Sequence, residues 1–296
     1  MRILHLDSGR EMRGGQWQAL RLHRGLVAAG HESLLLAREG SPLLQKAKEW
    51  NLPCDALRPF RLGPLVRRTE LVHAHDARSH TLASVFPRLQ LVVSRRVAFP
   101  VKSAALSRWK YRRPVLFLAV SAFVALQLRA AGIPEHRILV VYDGIPVPAQ
   151  NPGNNPEDGA ILVPYTLDRD KGMALAEEAA ALAGVRLVPS RDLEADLPRA
   201  RALVYLSRAE GLGSGILLGM AHGVTVIASH VGGIPELIQD GVNGILVPNE
   251  PEAVARAFRR IDRQFGRAAR QTVLDRFTEE HMVQATLTAY ERALHA

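Results

Sequence analysis

Two histidines and an aspartate near residue 75 could bind a metal ion or a substrate. The run Val72-His73-Ala74-His75-Asp76 follows a strand pattern, and His80 lies just beyond it. Side chains two apart on a strand share a face, so both imidazoles would point the same way. With a carboxylate they could coordinate a metal. A strand-end histidine that hydrogen-bonds substrate or backbone is the favoured interpretation, because the sequence shows no second cluster of metal-ligand residues.

A second group of residues, between Ser207 and Pro248, could bind a diphosphate. Glu210-Gly-Leu-Gly213 follows one predicted strand, and Gly232-Gly-Ile-Pro-Glu236 follows the next. Loops after parallel strands line the carboxyl edge of the sheet, where ligands bind. Small residues let a ligand approach the backbone, and the N–H groups at a helix start near Ser214 favour negative charge. Two such loops at neighbouring strand ends predict a phosphate site.

Alternating strands and helices must position these residues. Apolar strand patterns alternate with helical patterns on both sides of a proline-rich segment, Pro146–Gly159, which is typical of an interdomain linker. The alternation predicts an α/β fold with parallel sheets covered on both faces. Strands are predicted at 2–7, 33–37, 71–74, 91–93, 115–120, 138–141, 160–163, 185–188, 202–206, 224–228 and 245–247. Helices are predicted at 16–30, 122–132, 171–182, 193–200, 214–222, 234–239, 252–265 and 278–295.

Charge is distributed unevenly along the 296 residues. Residues 1–150 carry a net charge of +13 and residues 151–296 carry −4, and no acidic residue lies between Asp76 and Glu135. Such a basic half suits an anionic partner: a membrane surface, a phosphorylated saccharide or nucleic acid. A solvated basic face that only aids solubility is an equally good interpretation. Aromatic residues among the basic ones favour a membrane interface.

The expected compartment is a reducing one. The single cysteine, Cys54, excludes an internal disulfide. The apolar run at the N-terminus is too short for a secretory signal, and no segment reaches the ~18 apolar residues of a membrane span. We expect a cytoplasmic protein. Peripheral attachment to the inner face of the bacterial inner membrane is compatible with this expectation.

The loop motifs resemble the donor-site signature of the family 4 glycosyltransferases, which are retaining enzymes of the GT-B fold. The matching runs are Glu210-Gly-Leu-Gly, Gly219-Met-Ala-His-Gly, Val226-Ile-Ala-Ser, Gly232-Gly-Ile-Pro-Glu, Asp240-Gly-Val-Asn-Gly and Leu246-Val-Pro. Further similar runs extend over nearly the whole chain: Gly14-Gly15, Val72-His-Ala-His75, Ala119-Val-Ser121 and Val141-Tyr-Asp-Gly-Ile145. The stretch from Ser94 to Tyr111 is similar to a subgroup that builds cell-envelope glycans such as lipopolysaccharide core.

The resemblance implies two Rossmann-like domains that face each other across a cleft. An acceptor-side domain would span residues 1–150 and a nucleotide-sugar domain residues 151–277. A C-terminal helix in residues 278–296 would pack back toward the first domain.

The resemblance also implies a role for particular residues. Lys171 would contact the donor diphosphate, and Glu210 and His75 would lie beside the reacting sugar. The other donor-binding residues would be Gly14, Gly15, Arg169, Gly211, Gly213, Ser214, Gly233 and Glu236. The acceptor or the membrane would meet Arg95, Arg96, Lys110, Arg112 and Arg113. The implied enzyme needs no metal and no cofactor beyond the nucleotide-diphosphate sugar as co-substrate.

Two donor-site residues depart from the family pattern. Leu218 stands where a second glutamate would hold the ribose, and Thr166 stands where an arginine would assist the lysine. Leucine cannot accept a hydrogen bond, and losing an ionic contact costs a few kcal/mol. Residues 172–201 also look short for the family, and Ala98 replaces an acidic residue of the subgroup motif.

The predicted function is transfer of a sugar from a nucleotide-diphosphate sugar to an anionic cell-envelope glycan or glycolipid. The alternative is a catalytically degenerate relative that keeps the fold and binds a glycan, a nucleotide or a partner protein. A nicotinamide dehydrogenase is disfavoured because G-x-G-x-x-G is absent between Asp7 and Gln16. Nucleic acid is not an expected partner, because helix-turn-helix, zinc and RNP motifs are absent.

Overall fold

The short apolar runs of the sequence form parallel strands that are buried on both faces. In β1 (Arg2–Asp7) every residue after Arg2 is buried. The computed structural model describes residues 1–87, 89–101, 104–149, 158–166 and 168–295. The chain divides into a first unit, Met1–Gly144 with Glu279–Ala296, and a second unit, Ile145–Thr278. The division falls at residue 144, ahead of the predicted position near 150.

The first unit is built on a seven-stranded parallel sheet. Its further strands are β2 (Glu32–Ala37), β3 (Cys54–Ala56), β4 (Leu71–Ala74), β5 (Leu91–Arg95), β6 (Leu116–Ala119) and β7 (Ile138–Val140). The strand order is β3-β2-β1-β4-β5-β6-β7, so β1 and β4 are neighbours although about 60 residues separate them. Their register pairs His5 directly with His73.

Six helices of the first unit follow its strands. They are α1 (Gly14–Ala28), α2 (Pro42–Glu49), α3 (Leu62–Val66), α4 (Ala77–Ser84), α5 (Ala105–Tyr111) and α6 (Ala122–Ala130). Side chains cap three of their starts: Ser41 caps α2, Asp76 caps α4 and Ser121 caps α6. Each cap satisfies N–H groups that a helix start leaves without an intrahelical acceptor.

The second unit repeats the plan on a five-stranded parallel sheet. Its strands are β8 (Ala160–Pro164), β9 (Leu187–Ser190), β10 (Ala200–Tyr205), β11 (Thr225–Ser229) and β12 (Ile245–Val247), in the order β12-β11-β10-β8-β9. Its helices are α7 (Met173–Ala183), α8 (Leu193–Asp196), α9 (Ser214–Ala221), α10 (Pro251–Phe258) and α11 (Arg263–Arg276). Because β8, β10 and β11 are adjacent, the loops that follow them lie at one edge of the sheet.

The last helix, α12 (Glu279–Leu294), belongs to the first unit. Its buried Met282, Ala289 and Tyr290 join an apolar cluster with Leu22 and Leu26 of α1. Glu279 at its start pairs with two arginines of α1, Arg21 and Arg24. Apolar burial and the charge pairs thus attach α12 to α1.

The predicted α/β class with two parallel sheets is confirmed, and most strand positions are right to within two residues. The single helix predicted over 252–265 is wrong. The structure ends α10 at Phe258 and starts α11 at Arg263, because Asp262 caps a new helix. Elements not predicted are α2, β3, α3, α4 and α5, all in the first unit. Among the described residues, no helix combines the length and apolarity needed to cross a lipid bilayer.

Candidate functional site

Three histidines meet in the core of the first unit. His5 on β1 lies opposite His73 on β4, and His75 follows β4. The rings of His73 and His75 are 4.1 Å apart between centroids, and those of His5 and His75 are 5.2 Å apart. The shared face predicted for His73 and His75 is therefore consistent with the structure, and His5 is an additional member.

Hydrogen bonds define which nitrogen of each imidazole carries the proton. Arg96 Nη1 lies 3.4 Å from His75 Nδ1 and can only donate, so this nitrogen accepts. The proton of neutral His75 is then on Nε2 and is donated over 2.9 Å to His5 Nδ1. His5 in turn carries its proton on Nε2, which is buried without a partner among the described residues. Both ring nitrogens of His75 are therefore engaged within the first unit.

These histidines are uncharged. Burial lowers the pKa of His5, His73 and His75 well below the ordinary value, and Arg96 lowers all three further. His73 completes its bonds with Tyr290 Oη at 2.7 Å and Ser94 Oγ at 2.8 Å. The cluster can accept and donate hydrogen bonds at neutral pH, but it cannot supply a positive charge.

The candidate metal ligands considered from the sequence, His73, His75, Asp76 and His80, do not form one cluster. The Asp76 carboxylate accepts bonds from Ser8 and Ser79 and caps α4, while His80 Nε2 bonds to the Lys110 carbonyl. Nitrogens of His5, His73 and His75 do lie within 4.8 Å of one another and could hold a metal by distance. The Arg96 guanidinium beside His75 opposes a second cation at that place, since like charges repel. A metal-free site stays a prediction.

The start of α1 lies beside Arg96. A Cβ at Gly15 would be 3.8 Å from Arg96 Cδ, so the first unit itself leaves room for a larger residue there. Gly14 is the first residue of α1. The Asp7 carboxylate at the end of β1 accepts bonds from the Gly9 N–H and from Gln16 Nε2. These bonds tie the loop to β1 and to α1, and Gly15 at the start of α1 leaves space that a ligand can use.

The basic residues proposed for the acceptor or the membrane mostly bond within the protein, and their contact with an acceptor or a membrane stays a prediction. Arg96 forms a largely buried ion pair with Asp143, with 3.1 Å between Nε and Oδ1. Most of the other contacts go to backbone carbonyls: Arg95 to Phe99, Lys110 to Ala77, and Arg113 to Ser84 and Phe86. Between Asp76 and Glu135 no carboxylate is available, so the cations bond to carbonyl oxygens instead. Arg112 is exposed.

In the second unit, Lys171 and Glu210 form an ion pair. Lys171 Nζ lies 2.6 Å from Glu210 Oε2, and the side chains are 36% and 16% exposed. Lys171 ends a short 3₁₀ turn after β8, and Glu210 lies in the loop after β10. The structure therefore brings together two of the predicted site residues that are 39 positions apart in the chain.

Glycines bring the three loops of this site into contact. Gly232 adopts φ +57°, and a Cβ there would lie 2.0 Å from the Glu210 carbonyl oxygen. The same oxygen accepts the N–H of buried Gly233 at 3.1 Å. Gly172, at φ +62°, also packs closely, since a Cβ there would lie 2.6 Å from Leu206 Cβ. Only glycine tolerates such conformations and such close backbone contact, so these glycines have a structural role at the predicted phosphate loops.

The start of α9 offers N–H groups to a ligand. Gly211 and Gly213 are buried in the preceding loop, and Gly213 adopts φ +111°. Ser214 begins α9 without a side-chain cap. Glu236 is half-buried at the end of the 3₁₀ turn Ile234–Glu236. The side chain of Arg169 lies outside the described residues.

Of the two departures from the family pattern, Thr166 has a local hydrogen-bond partner. Leu218 is half-buried on α9 and carries no polar side-chain atom. Thr166 Oγ1 accepts the N–H of Asp168 at 3.0 Å. Among the described residues, Lys171 is the cation that pairs with Glu210 at the three joined loops.

Two family models match the sequence. Residues 12–147 match the one described as Glycosyltransferase Family 4, and residues 165–263 match the one described as Glycosyl transferases group 1. Each match falls largely within one of the two units. These matches support an enzyme of the glycosyltransferase class. The segment 12–147 contains His73, His75 and Arg96, and the segment 165–263 contains Lys171 and Glu210.

Curated relatives match over part of their length. The alpha-maltose-1-phosphate synthase of Mycolicibacterium smegmatis is 32% identical over 136 residues, which is 40% of this chain and 35% of the relative. The D-inositol 3-phosphate glycosyltransferase of Mycolicibacterium gilvum is 36% identical over 138 residues, which is 42% of this chain and 31% of the relative. The match thus spans about a third of these relatives.

A solved structure shares the fold. The Anabaena protein HepE, crystallised in complex with UDP-glucose, has a TM-score of 0.78 at 17% identity, with 98% of this chain and 100% of that chain covered. This likeness confirms the GT-B type of the two sheets.

Sequence reasoning missed three residues of these sites: His5, Asp143 and Tyr205. His5 lies on a predicted strand, but only the pairing of β1 with β4 places it beside His73. Asp143 and Tyr205 carry no local signal. Their roles follow from the side chains they meet, Arg96 and Glu210, in the folded chain.

Proposed function

We propose that this protein transfers a sugar from a nucleotide-diphosphate sugar to an anionic acceptor, with retention at the anomeric carbon. One observation carries the proposal: Lys171, Glu210 and the uncapped start of α9 belong to loops that close glycine contacts join at one sheet edge. A diphosphate there meets a lysine and helix N–H groups, which stabilise the charge that develops on the leaving group. No metal is needed for that stabilisation.

A UDP-sugar is the proposed donor class. Support comes from the HepE structure of the same fold, which was crystallised with UDP-glucose. In the free protein Glu210 neutralises Lys171 across 2.6 Å. A diphosphate carries more negative charge than one carboxylate, so it competes effectively for the lysine.

The proposed acceptor carries phosphate. Two relatives have names that include a sugar phosphate or an inositol phosphate, and residues 1–150 of this chain carry a net charge of +13. A cell-envelope glycan or glycolipid is the finer proposal. The surface around α5 supports it, since Phe99 and Trp109 are exposed there close to the exposed basic residues Arg108 and Arg112. The same features support contact with an anionic membrane leaflet.

Removing Lys171 tests the proposal. Wild type is titrated with UDP-, GDP- and ADP-sugars while the melting temperature is followed, and turnover is measured with the donor that binds. We expect Lys171→Ala to weaken that donor about 10- to 100-fold, the effect of losing one charge-assisted bond. Lys46→Ala is the matched control, because Lys46 also pairs with a glutamate but lies on α2.

One outcome would contradict transfer, and another would contradict the proposed diphosphate site. If no nucleotide sugar at millimolar concentration raises the melting temperature, the protein is the degenerate relative that Leu218 and Thr166 suggest. If a donor binds equally well to wild type and Lys171→Ala, the joined loops of the second unit are not the diphosphate site.

A further inference from the structure

Two donors converge on one oxygen of Glu210. Lys171 Nζ lies 2.6 Å from Glu210 Oε2, and Tyr205 Oη lies 3.1 Å from the same oxygen. The ammonium also lies 6.0 Å from the centroid of the tyrosine ring. The three side chains therefore form one cluster, in which the tyrosine has no role assigned by the sequence motifs.

The tyrosine is fixed more firmly than the lysine. Tyr205 is the last residue of β10, and its ring packs on the first turn of α9 at Gly215. A Cβ at position 215 would lie 2.7 Å from Tyr205 Cε2, so the ring occupies space that only glycine leaves. Lys171 has a long, partly exposed side chain with more rotatable bonds. Of the two partners, the tyrosine is the one that can hold Glu210 without moving.

The hydroxyl keeps its proton. Burial and the neighbouring Glu210 carboxylate raise the pKa of Tyr205 well above its ordinary value. A protonated phenol facing a carboxylate donates its hydrogen bond. The contact therefore persists whether or not Lys171 remains beside Glu210.

We propose that Tyr205 is a positioning residue that holds Glu210 in place when the donor diphosphate draws Lys171 away. This inference rests on the proposed transfer reaction. Glu210 Oε2 stays bonded to the phenol, and the other carboxylate oxygen can accept a hydrogen bond from the transferred sugar. Without the phenol, the carboxylate would follow the ammonium or rotate, and the sugar would lose a fixed partner.

Tyr205→Phe separates this role from a structural one, because it keeps the ring and removes only the hydroxyl. We expect kcat to fall about tenfold, while the Kd for UDP changes less than twofold because Lys171 still holds the diphosphate. The matched control is Ser190→Ala, which also removes a hydroxyl that bonds a carboxylate, that of Asp196. It should affect the melting temperature but not kcat.

Gly215→Ala tests the packing on which the position depends. The added methyl displaces the ring, so kcat should fall as in Tyr205→Phe. In the double variant the second change should add little to the loss in kcat, because the contact with Glu210 is already gone. Fully multiplied losses would show that Gly215 acts independently of Tyr205.

A readout without donor keeps the inference testable if transfer itself fails. Crystal structures of Lys171→Ala and of Lys171→Ala with Tyr205→Phe are compared. We expect the Glu210 carboxylate to keep its place in the first and to lose it in the second. The same carboxylate position in both structures, or unchanged kcat in Tyr205→Phe, overturns the inference. Absence of turnover in wild type contradicts the proposed function instead.

Discussion

The surroundings of Asp7 in the first unit disfavour its ionised form. Burial, and then the neighbouring charge of Asp76, raise the pKa of Asp7 to about 6, although the Gly9 N–H and Gln16 bond to it. An acid with a raised pKa binds its proton more tightly in the folded state. Its ionisation therefore costs stability as pH rises from about 4 to about 6.

We predict that Asp7→Asn stabilises the protein above pH 7 and has little effect at pH 4. Relieving the ionisation cost is worth about 3 kcal/mol at most, since one pKa unit corresponds to about 1.4 kcal/mol. Losing one contact with Gln16 Nε2 offsets about 1 kcal/mol of this. Denaturant unfolding at both pH values measures the difference. A variant less stable than wild type at pH 8 would show that the ionised carboxylate is favourable.

Among elements, the loops after β10 and β11 depend on each other. The conformation of Gly232 and its approach to the Glu210 carbonyl place the second loop against the first. Close packing of this kind leaves no space for a methyl group, so the backbone around Glu210 would have to move.

Gly232→Ala should therefore reduce both stability and donor binding. We expect a loss of more than about 3 kcal/mol, from φ strain plus the clash, and at least tenfold weaker donor binding. Gly184→Ala is the matched control, because Gly184 has φ +65° but no atom within 4 Å of an added Cβ. It should cost about 1–2 kcal/mol and leave donor binding unchanged. Equal effects of the two changes on donor binding would contradict the role of the loop contact.

At the scale of the whole molecule, the two units should differ in acid stability. Burial lowers the pKa of five histidines of the first unit, and that of His23 and His80 falls to about 4. In the second unit, His222 is the described histidine with such a shift. A buried neutral histidine stabilises the fold fully above pH 6.5 and loses this contribution as pH falls toward its folded-state pKa.

We predict that the first unit unfolds before the second on acidification. Each of its five shifted histidines contributes a loss of about 1.4 kcal/mol per pH unit between about pH 6.5 and its own lower pKa, whereas Asp7 acts in the opposite direction. Hydrogen exchange measured by mass spectrometry at pH 7.5, 6 and 5 shows which peptides of each unit lose protection as the pH falls. Equal loss of protection in both units would contradict the prediction.

The local sequence pattern was sufficient to predict the fold class and the positions of the loops proposed to bind the donor. Strands of a covered parallel sheet are short apolar runs, and the run over 71–74 is predicted with its observed bounds. Glycines near Glu210 and Gly232 mark backbone conformations that other residues avoid, so the sequence by itself determined where the chain turns at the sheet edge.

Only the tertiary structure decided which side chains meet. The register of β1 against β4 brings His5 to His75, and α12 brings Tyr290 to His73 across 217 positions. Arg96, which was predicted to meet the acceptor or the membrane, pairs with Asp143 inside the first unit. Such contacts join residues far apart in the chain, and strand order and helix packing create them. A single sequence records the residues but not the strand order and packing that bring them together.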